Sequence, residues 1–365
     1  MNIAGRIGQM SGAQKGIAGA LVAVLVIGGA GATYALVSNG SSKSSAAAPT
    51  ATATPSPTAS PTPTATPAPA APPPVNPLTG TGTVPTGPVI AVKIDDTAPG
   101  RPQVGIDKAD IVYIEQAEGG LTRDVAVFAS QKPIAGYIRS TRASDPELLT
   151  QYGPIVLVAS GGGGDSLKIL DASILHPYIQ DRGDKGFYRV QRRQSTYINV
   201  VLPLSKVSVP GAGKAKSIGL VWSASGAGLA ATPVATSLST KVGGTPVGFT
   251  WNASLKKYMR VINGNIQRAA DGAVIATPNV IVQFCAVSPH PGDIDVNGNP
   301  SQYTHSVGSG KVSIFRNGHR IDGTWSRPTI NSGTTYRDAA GKPISVTPGG
   351  AWVVLATNGT PLTSR

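Results

Sequence analysis

A proline-rich segment divides this chain and limits how much of it can form a hydrophobic core. Residues 41–76 consist almost wholly of Ala, Pro, Thr and Ser, with alternations such as Thr54-Pro55-Ser56-Pro57. This composition buries nothing and favours the extended polyproline II conformation. We therefore predict a disordered stalk over residues 38–76, of which residues 41–76 would reach on the order of 110 Å if fully extended.

An apolar run that precedes the stalk is long enough to cross a membrane. Residues 16–37 carry no charge and would cover roughly 33 Å as a helix. Arg6 and Lys15 precede the run, so the positive-inside rule places residues 1–15 in the cytoplasm and the folded part outside. We predict a single-pass signal anchor at 16–37. The alternative is cleavage near Ala30-Gly31-Ala32, which would leave a secreted protein.

The chain has one cysteine, Cys285, within the apolar run from Val280 to Val287. A single cysteine excludes intrachain disulfides and multi-cysteine metal sites, and no cysteine stands near the apolar run at residues 16–37 to carry a lipid. The four histidines show no two-ligand helix spacing. We predict that Cys285 lies in a buried strand and that the protein binds no metal and no cofactor.

Positive charge is concentrated in the second half of the folded region. Residues 81–205 hold 13 basic and 13 acidic residues, whereas residues 206–365 hold 15 and 5. A basic surface outside the cytoplasm favours anionic cell-wall polymers as partners, although a merely solvated surface is the alternative. The basic residues are scattered rather than clustered, so nucleic acid is not expected as a partner.

About 290 residues follow the stalk, which is enough for two domains. In residues 77–225, helix-start signals occur at Asp145-Pro146 and Asp165, and apolar runs predict strands at 88–94, 111–114, 125–128 and 154–158. In residues 226–365, turn dipeptides such as Asn263-Gly264 and Asn317-Gly318 predict β hairpins. We predict an α/β (α+β) protein with a mixed α/β first domain and a β-rich second domain.

Acidic residues and arginines are dense between positions 95 and 145, and several of them end predicted strands. The candidate ligand-binding residues are Asp95, Arg101, Glu115, Glu118, Arg123, Arg139 and Arg142. Arg139-Ser140-Thr141-Arg142 can present two planar guanidinium groups to one carboxylate or phosphate. The alternative is a structural ion-pair network, which the balanced charge count supports. The sequence identifies no catalytic residue.

Several short motifs follow one another along the chain: Ala91-Val92-Lys93-Ile94-Asp95, Arg101-Pro102-Gln103, Glu118-Gly119-Gly120-Leu121-Thr122-Arg123, Ile138-Arg139-Ser140-Thr141-Arg142 and, further on, Gly308-Ser309-Gly310-Lys311. In this order they resemble a bacterial family of exported proteins typified by the YerB lipoprotein. The resemblance implies a two-domain exported α/β protein and supplies no reaction. This chain lacks the family's lipid-bearing cysteine, and it has Arg193-Gln194-Ser195-Thr196-Tyr197 where many relatives carry a His-Asn pair.

Two functional hypotheses follow for the part of the chain outside the membrane. The first is a noncatalytic binding or assembly protein of the cell envelope, with an anion-recognising cleft and a basic second domain that contacts wall polymers. The second is an envelope enzyme that acts on phosphorylated or glycan substrates, with Asp95, Glu115 or Glu118 as acid or base. The enzyme hypothesis requires these side chains to share one open cleft.

Overall fold

The computed structural model describes residues 74–192, 195–294 and 298–365. The predicted anchor at 16–37 and nearly all of the predicted stalk lie outside these residues, as do Arg193 and Gln194. Within the described ranges, no helix is both long and apolar enough to cross a membrane. Asn76, the last residue assigned to the stalk, is buried, and its amide donates to Ser130 Oγ at 2.7 Å. This contact ties the end of the proline-rich segment to the folded unit.

The first half of the folded region consists mainly of strands. The strands are β1 (Ile90–Asp95), β2 (Ile111–Gln116), β3 (Thr122–Phe128), β4 (Ile134–Gly136), β5 (Val156–Ala159), β6 (His176–Ile179), β7 (Tyr188–Arg189), β8 (Val200–Pro203) and β9 (Val221–Trp222). The α-helices are α1 (Asp145–Leu149) and α2 (Ser166–Asp171). Short 3-10 turns lie at Ala98–Gly100, Ile106–Lys108, Glu118–Gly120, Thr150–Tyr152, Gln180–Arg182 and Leu204–Lys206.

The second half is built from strands, with one 3-10 turn at Leu229–Ala231 among its described residues. Its strands are β10 (Ser237–Val242), β11 (Thr245–Asn252), β12 (Lys257–Ile262), β13 (Asn265–Ile266), β14 (Ala276–Thr277), β15 (Asn279–Cys285), β16 (Val287–Ile294), β17 (Pro300–Thr304), β18 (Gly308–Arg316), β19 (His319–Arg327), β20 (Thr335–Arg337), β21 (Ser345–Val346), β22 (Ala351–Thr357) and β23 (Thr363–Ser364).

One mixed sheet of ten strands runs through both halves, in the order β20-β19-β18-β15-β22-β2-β3-β1-β5-β6. The halves meet where β2 pairs in parallel with β22, with Val112 opposite Trp352. A six-stranded sheet has the order β13-β12-β11-β10-β23, with β14 beside β12. All the described residues belong to one compact unit. Strand pairing, in addition to side-chain packing, therefore joins the two halves.

The first half contains less helix than predicted. The strands expected near β1, β2, β3 and β5 are confirmed, and helices begin where the capping signals indicated. However, α1 and α2 are only five and six residues long, so the described part of the first domain is not clearly mixed α/β, and strands predominate in both halves of the folded region. A capping signal indicates where a helix begins. How far the helix extends depends on an apolar stripe that packs against the rest of the protein, and five or six residues are too few to form one.

Two predicted hairpin turns are confirmed. β12 and β13 are joined at Asn263-Gly264, and β18 and β19 at Asn317-Gly318. In the second turn Asn317 has φ 50° and Gly318 has φ 75°. A two-residue turn that matches the twist of its strands needs positive φ at both positions, which Asn and Gly tolerate best.

The central strands are buried on both faces of the large sheet. Every residue of β1 and β3 is buried. Alternate residues of β1 pack into different apolar clusters, with Ala91 in one and Ile90 and Val92 in the other. Burial on both faces explains why Ile90-Ala91-Val92 in β1 and Val125-Ala126-Val127-Phe128 in β3 are consecutive apolar residues rather than alternating patterns.

Cys285 ends β15 and is fully buried, as predicted. Burial raises the pKa of its thiol to about 12, although a hydrogen bond from Gln283 opposes the shift. Because the thiolate is the reactive form, we expect a thiol reagent at pH 8 to label the native protein about 100-fold or more slowly than the protein in denaturant. The chain's only thiol makes the labelled fraction a direct readout, and rapid stoichiometric labelling of native protein would contradict this burial.

Candidate functional site

Five of the seven candidate residues line one cleft at the ends of β1, β2 and β3. These residues are Asp95, Glu118, Arg123, Arg139 and Arg142, and the cleft has a volume of about 930 Å³. We call it the arginine cleft. Its other lining residues include Thr97, Pro99, Leu121, Ser140, Tyr197, Ile198, Asp293, Ile294 and Asn299. The second half contributes Asp293 and Ile294 through β16, so both halves form the walls.

The remaining two candidates, Arg101 and Glu115, do not line the arginine cleft. Arg101 Nη1 donates to the carbonyl oxygen of Asp96 at 2.9 Å. Glu115 is almost fully buried and pairs with Lys93. Both side chains therefore stabilise structure around the cleft.

Asp95 lies between two guanidinium groups. The β1–β3 register places Asp95 opposite Arg123. Asp95 Oδ2 is 3.1 Å from Arg139 Nε and 3.9 Å from Arg123 Nη2, while Oδ1 accepts a hydrogen bond from the Thr97 backbone at 2.7 Å. One carboxylate thus faces two cations, so this part of the cleft carries an excess of one positive charge.

Arg123 is the most deeply buried of the three arginines that line the cleft, and one of its donors has no hydrogen-bond partner among the described residues. It is 4% exposed, and its Nη1 donates to the Thr122 carbonyl oxygen at 2.9 Å. Among the described residues, no atom accepts a hydrogen bond from its Nε. Burial lowers its pKa, Asp95 opposes that shift, and the charges of Arg139 and Arg142 add to it. A buried guanidinium with spare donors favours an anionic partner.

Arg142 is already engaged by Glu118. Its Nη2 donates to Glu118 Oε2 at 2.7 Å and its Nε lies against Oε1. Burial alone would raise the pKa of Glu118, but hydrogen bonding and charge from Arg142 outweigh it and lower the pKa to about 2. The expected pairing of Arg139 with Arg142 around one ligand is therefore replaced by an arrangement in which Arg139 joins Arg123 at Asp95.

Asp293 anchors the second half to this cleft. It is 3% exposed, and its Oδ2 accepts hydrogen bonds from Ser166 Oγ at 2.7 Å and Ser301 Oγ at 2.8 Å. Ser301 Oγ also lies 2.6 Å from Glu118 Oε1. In the sequence, Asp293 stands in a Pro-Gly-Asp stretch that is typical of a turn, and nothing there indicates that its carboxylate is buried.

A buried ionic cluster positions the loop that carries Arg139 and Arg142. Lys93 contacts Glu115 and donates to Asp145 Oδ1 at 2.9 Å. Asp145 Oδ2 accepts the Arg142 backbone N–H at 2.8 Å, and the Lys93 carbonyl oxygen accepts that of Arg139 at 2.9 Å. Backbone hydrogen bonds to one cluster therefore fix both ends of the loop.

The structure supports no metal centre in the part of the chain that it describes, where no group of three or more His, Cys, Asp and Glu could hold an ion.

Asp165 occupies the predicted N-cap of α2, but its side chain makes no capping hydrogen bond. Its carboxylate instead lies 2.8 Å from His290 Nε2.

Comparison with known proteins assigns the chain to a family. The N-terminal domain of the DUF3048 family of proteins of unknown function matches residues 78–210, and its C-terminal domain matches residues 237–353. The chain belongs to the DUF3048 family. The N-terminal match contains all seven candidate residues, and the C-terminal match contains Asp293.

Known relatives confirm the predicted YerB-like membership. The "Putative lipoprotein YerB" of Bacillus subtilis strain 168 is 44% identical over 70 residues, which cover 18% of this chain and 21% of that protein. A crystal structure of the YerB protein from Bacillus subtilis has a TM-score of 0.64 and 20% identity, covering 80% of this chain and 99% of that one. At this identity the structural likeness shows a shared fold.

Arg260 joins the two DUF3048 domains, and sequence reasoning missed it. From β12 in the C-terminal domain, its Nη2 lies 2.6 Å from Asp96 Oδ2 and its Nη1 lies 3.1 Å from Asp124 Oδ2. All three side chains are almost fully buried. The available signal was an arginine within the otherwise apolar run Met259-Arg260-Val261-Ile262, because a charge on a buried strand needs a partner.

Proposed function

We propose that this DUF3048 protein is a membrane-anchored, extracytoplasmic protein of the cell envelope that binds anionic groups of wall polymers in the arginine cleft without transforming them. The position of Arg123 carries the proposal, because this largely buried guanidinium lines an open cleft beside Arg139 and its nearest carboxylate oxygen, Asp95 Oδ2, lies 3.9 Å from Nη2. The lipoprotein name of its relative YerB and the apolar run at 16–37 support the location.

The basic second half contributes less surface charge than its composition suggests. Arg260, Arg316 and Arg327 are almost fully buried. Arg316 donates to the carbonyl oxygens of Ser223 and Ser225, at 3.0 and 2.7 Å. These three cations hold the fold together, so recognition of a polymer depends more on the cleft than on the overall charge.

The enzyme hypothesis receives less support from the site. Glu118 has a pKa near 2 and therefore stays ionised at the pH at which a general acid would have to hold a proton. Glu115 does not line the cleft. With Glu118 and Glu115 set aside, Asp95 is the remaining one of the three proposed acid/base residues in the cleft. Asp95 faces two arginines, which suits charge pairing better than proton transfer.

The binding proposal is tested by retention of the full-length chain on purified peptidoglycan and on a purified anionic wall polymer, at low and high salt. We expect salt-sensitive retention on at least one polymer, because charge pairs at a partly open site are screened. Arg123→Gln should weaken retention about tenfold or more through loss of charge-assisted hydrogen bonds.

Arg268→Gln is the matched control, because Arg268 is exposed and does not line the arginine cleft. It removes the same charge and should leave retention nearly unchanged. Equal losses from both substitutions would assign binding to general surface charge and reject the cleft. Absence of retention on both polymers at low salt would reject the proposed function.

A further inference from the structure

Three large, exposed side chains border the arginine cleft. Leu121 is 46% exposed, Tyr197 is 65% exposed and Ile294 is 54% exposed, and all three line the cleft. They come from three separate chain segments. Single exposed apolar residues are common on protein surfaces, whereas apolar side chains gathered around one concave site indicate a binding surface. We call these three residues the apolar rim.

The charges inside the cleft match one negative charge on a ligand. Arg123 and Arg139 share Asp95, which leaves an excess of one positive charge there. Arg142 is neutralised by Glu118. With the carboxylate of Asp293, the described residues of the lining include three arginines and three carboxylates. A ligand with several negative charges would meet Glu118 and Asp293, so the cleft suits a monoanion better than a polyanion.

We propose that the arginine cleft binds a carboxylate attached to an apolar group, as at the C-terminal end of a peptide with an apolar last residue. The carboxylate pairs with Arg123 and Arg139, whose planar forks match its two oxygens, and the apolar group packs against the apolar rim. A volume of about 930 Å³ suits a chain end or a small ligand. This inference rests on the proposed function and names the ligand class of the same site.

A phosphate-bearing lipid shares the combination of an anion with an apolar group. A phosphate monoester carries nearly two negative charges at neutral pH, which the balanced lining does not favour. A phosphodiester lipid carries one, and the experiment must therefore separate it from a peptide carboxylate.

The test is calorimetric titration of the full-length chain with N-acetylated dipeptides that end in Gly, Ala or Leu, each as the free acid and as the C-terminal amide. We expect affinity for the acids to rise roughly two- to fourfold for each buried methylene, and the amides to bind at least about tenfold more weakly. Soluble dihexanoyl phosphatidylglycerol, titrated separately, represents the lipid and should bind more weakly than the Leu-ending acid.

Three variants separate the two parts of the site. Arg123→Gln should remove binding of every acid. Leu121→Ser should retain binding of the Gly-ending acid but reduce the gain in affinity from the Gly-ending to the Leu-ending acid. Leu255→Ser is the matched control, because Leu255 is 51% exposed and lies outside the cleft. It should leave the whole series unchanged, and equal effects of the two Leu→Ser changes would overturn the role of the apolar rim.

The outcomes also distinguish this inference from the proposed function. Binding that requires Arg123 but is insensitive to the apolar group would overturn the inference and leave anion binding intact. Tighter, Arg123-dependent binding of phosphatidylglycerol would overturn the peptide carboxylate in favour of a lipid. If neither the small ligands nor the wall polymers bind, both proposals are overturned.

Discussion

Replacing Arg260 with Met is expected to destabilise the folded unit by about 3–5 kcal/mol at neutral pH. Arg260 is the cation that contacts both Asp96 and Asp124. Its removal leaves two carboxylates close together in the interior, where burial and mutual repulsion both oppose charge. The measurement is the free energy of unfolding in urea, followed by tryptophan fluorescence.

The loss on replacing Arg260 should depend on pH in a definite direction. Burial and the charge of Asp96 already raise the pKa of Asp124 above its usual 3.8. A folded-state pKa that is raised above the unfolded value makes stability greatest at low pH and weakens it as pH rises. Without Arg260 the pKa of Asp124 is raised further. The variant should therefore lose less unfolding free energy, relative to the wild type, at pH 5 than at pH 8.

Two control variants make the Arg260 prediction specific. Arg268→Met changes an exposed arginine of the same domain and should shift the free energy of unfolding by less than about 0.5 kcal/mol. Adding Asp96→Asn and Asp124→Asn to Arg260→Met should recover part of the loss, because no charge is then left buried without a partner. If Arg260→Met lost no more unfolding free energy than Arg268→Met, the contacts of Arg260 with Asp96 and Asp124 would not stabilise the joined domains.

Replacing Lys93 with Met should produce a second loss of about 3–5 kcal/mol, together with weaker anion binding. Lys93 is fully buried and is the cation that contacts Glu115 and Asp145. Its removal perturbs Asp145, which accepts the Arg142 backbone N–H. The loop that carries Arg139 would lose part of its support, so binding to the arginine cleft should weaken even though Lys93 does not line it.

The pH dependence of the Lys93 variant provides a separate check. Burial and the charge of Asp145 raise the pKa of Glu115 above its usual 4.5, while Lys93 opposes the rise. Without Lys93 the folded-state pKa rises further, so the stability of the variant should go on falling as pH rises beyond about 7, where the contribution of Glu115 in the wild type levels off. Glu115→Gln combined with Lys93→Met should reduce this slope, and an unchanged slope in the double variant would contradict the assignment to Glu115.

Local patterns in the sequence predicted much of this fold. The apolar runs at β1, β2, β3 and β5 were recognised because strands buried on both faces carry several consecutive apolar residues. The turns at Asn263-Gly264 and Asn317-Gly318 were recognised because few other residue pairs adopt positive φ twice in succession. Helix starts were also located, but helix lengths were not, because length depends on packing against the rest of the protein.

The candidate site was predicted as a region rather than as an arrangement. The density of acids and arginines between Asp95 and Asp145 drew attention to this segment, and five of its side chains line one cleft. Sequence spacing suggested that Arg139 and Arg142 act as a pair, whereas pairing of β1 with β3 brings Arg123 to Asp95 instead. Contacts across strands depend on register, which neighbouring positions in the chain do not reveal.

The sequence by itself determined the features that depend on composition and on residues close together in the chain: a proline-rich segment that cannot form a core, a single cysteine without a disulfide, buried strands, hairpin turns and membership of a two-domain family. The tertiary structure alone decided which ionic groups meet. The contact between Arg260 and Asp96 joins residues 164 positions apart, and that between Ser301 and Glu118 joins residues 183 positions apart. Long-range strand pairing brings such residues together, and their buried charges then require one another. The position of Arg123 in the cleft, beside Asp95 and Arg139, likewise follows from strand pairing and not from its neighbours in the sequence.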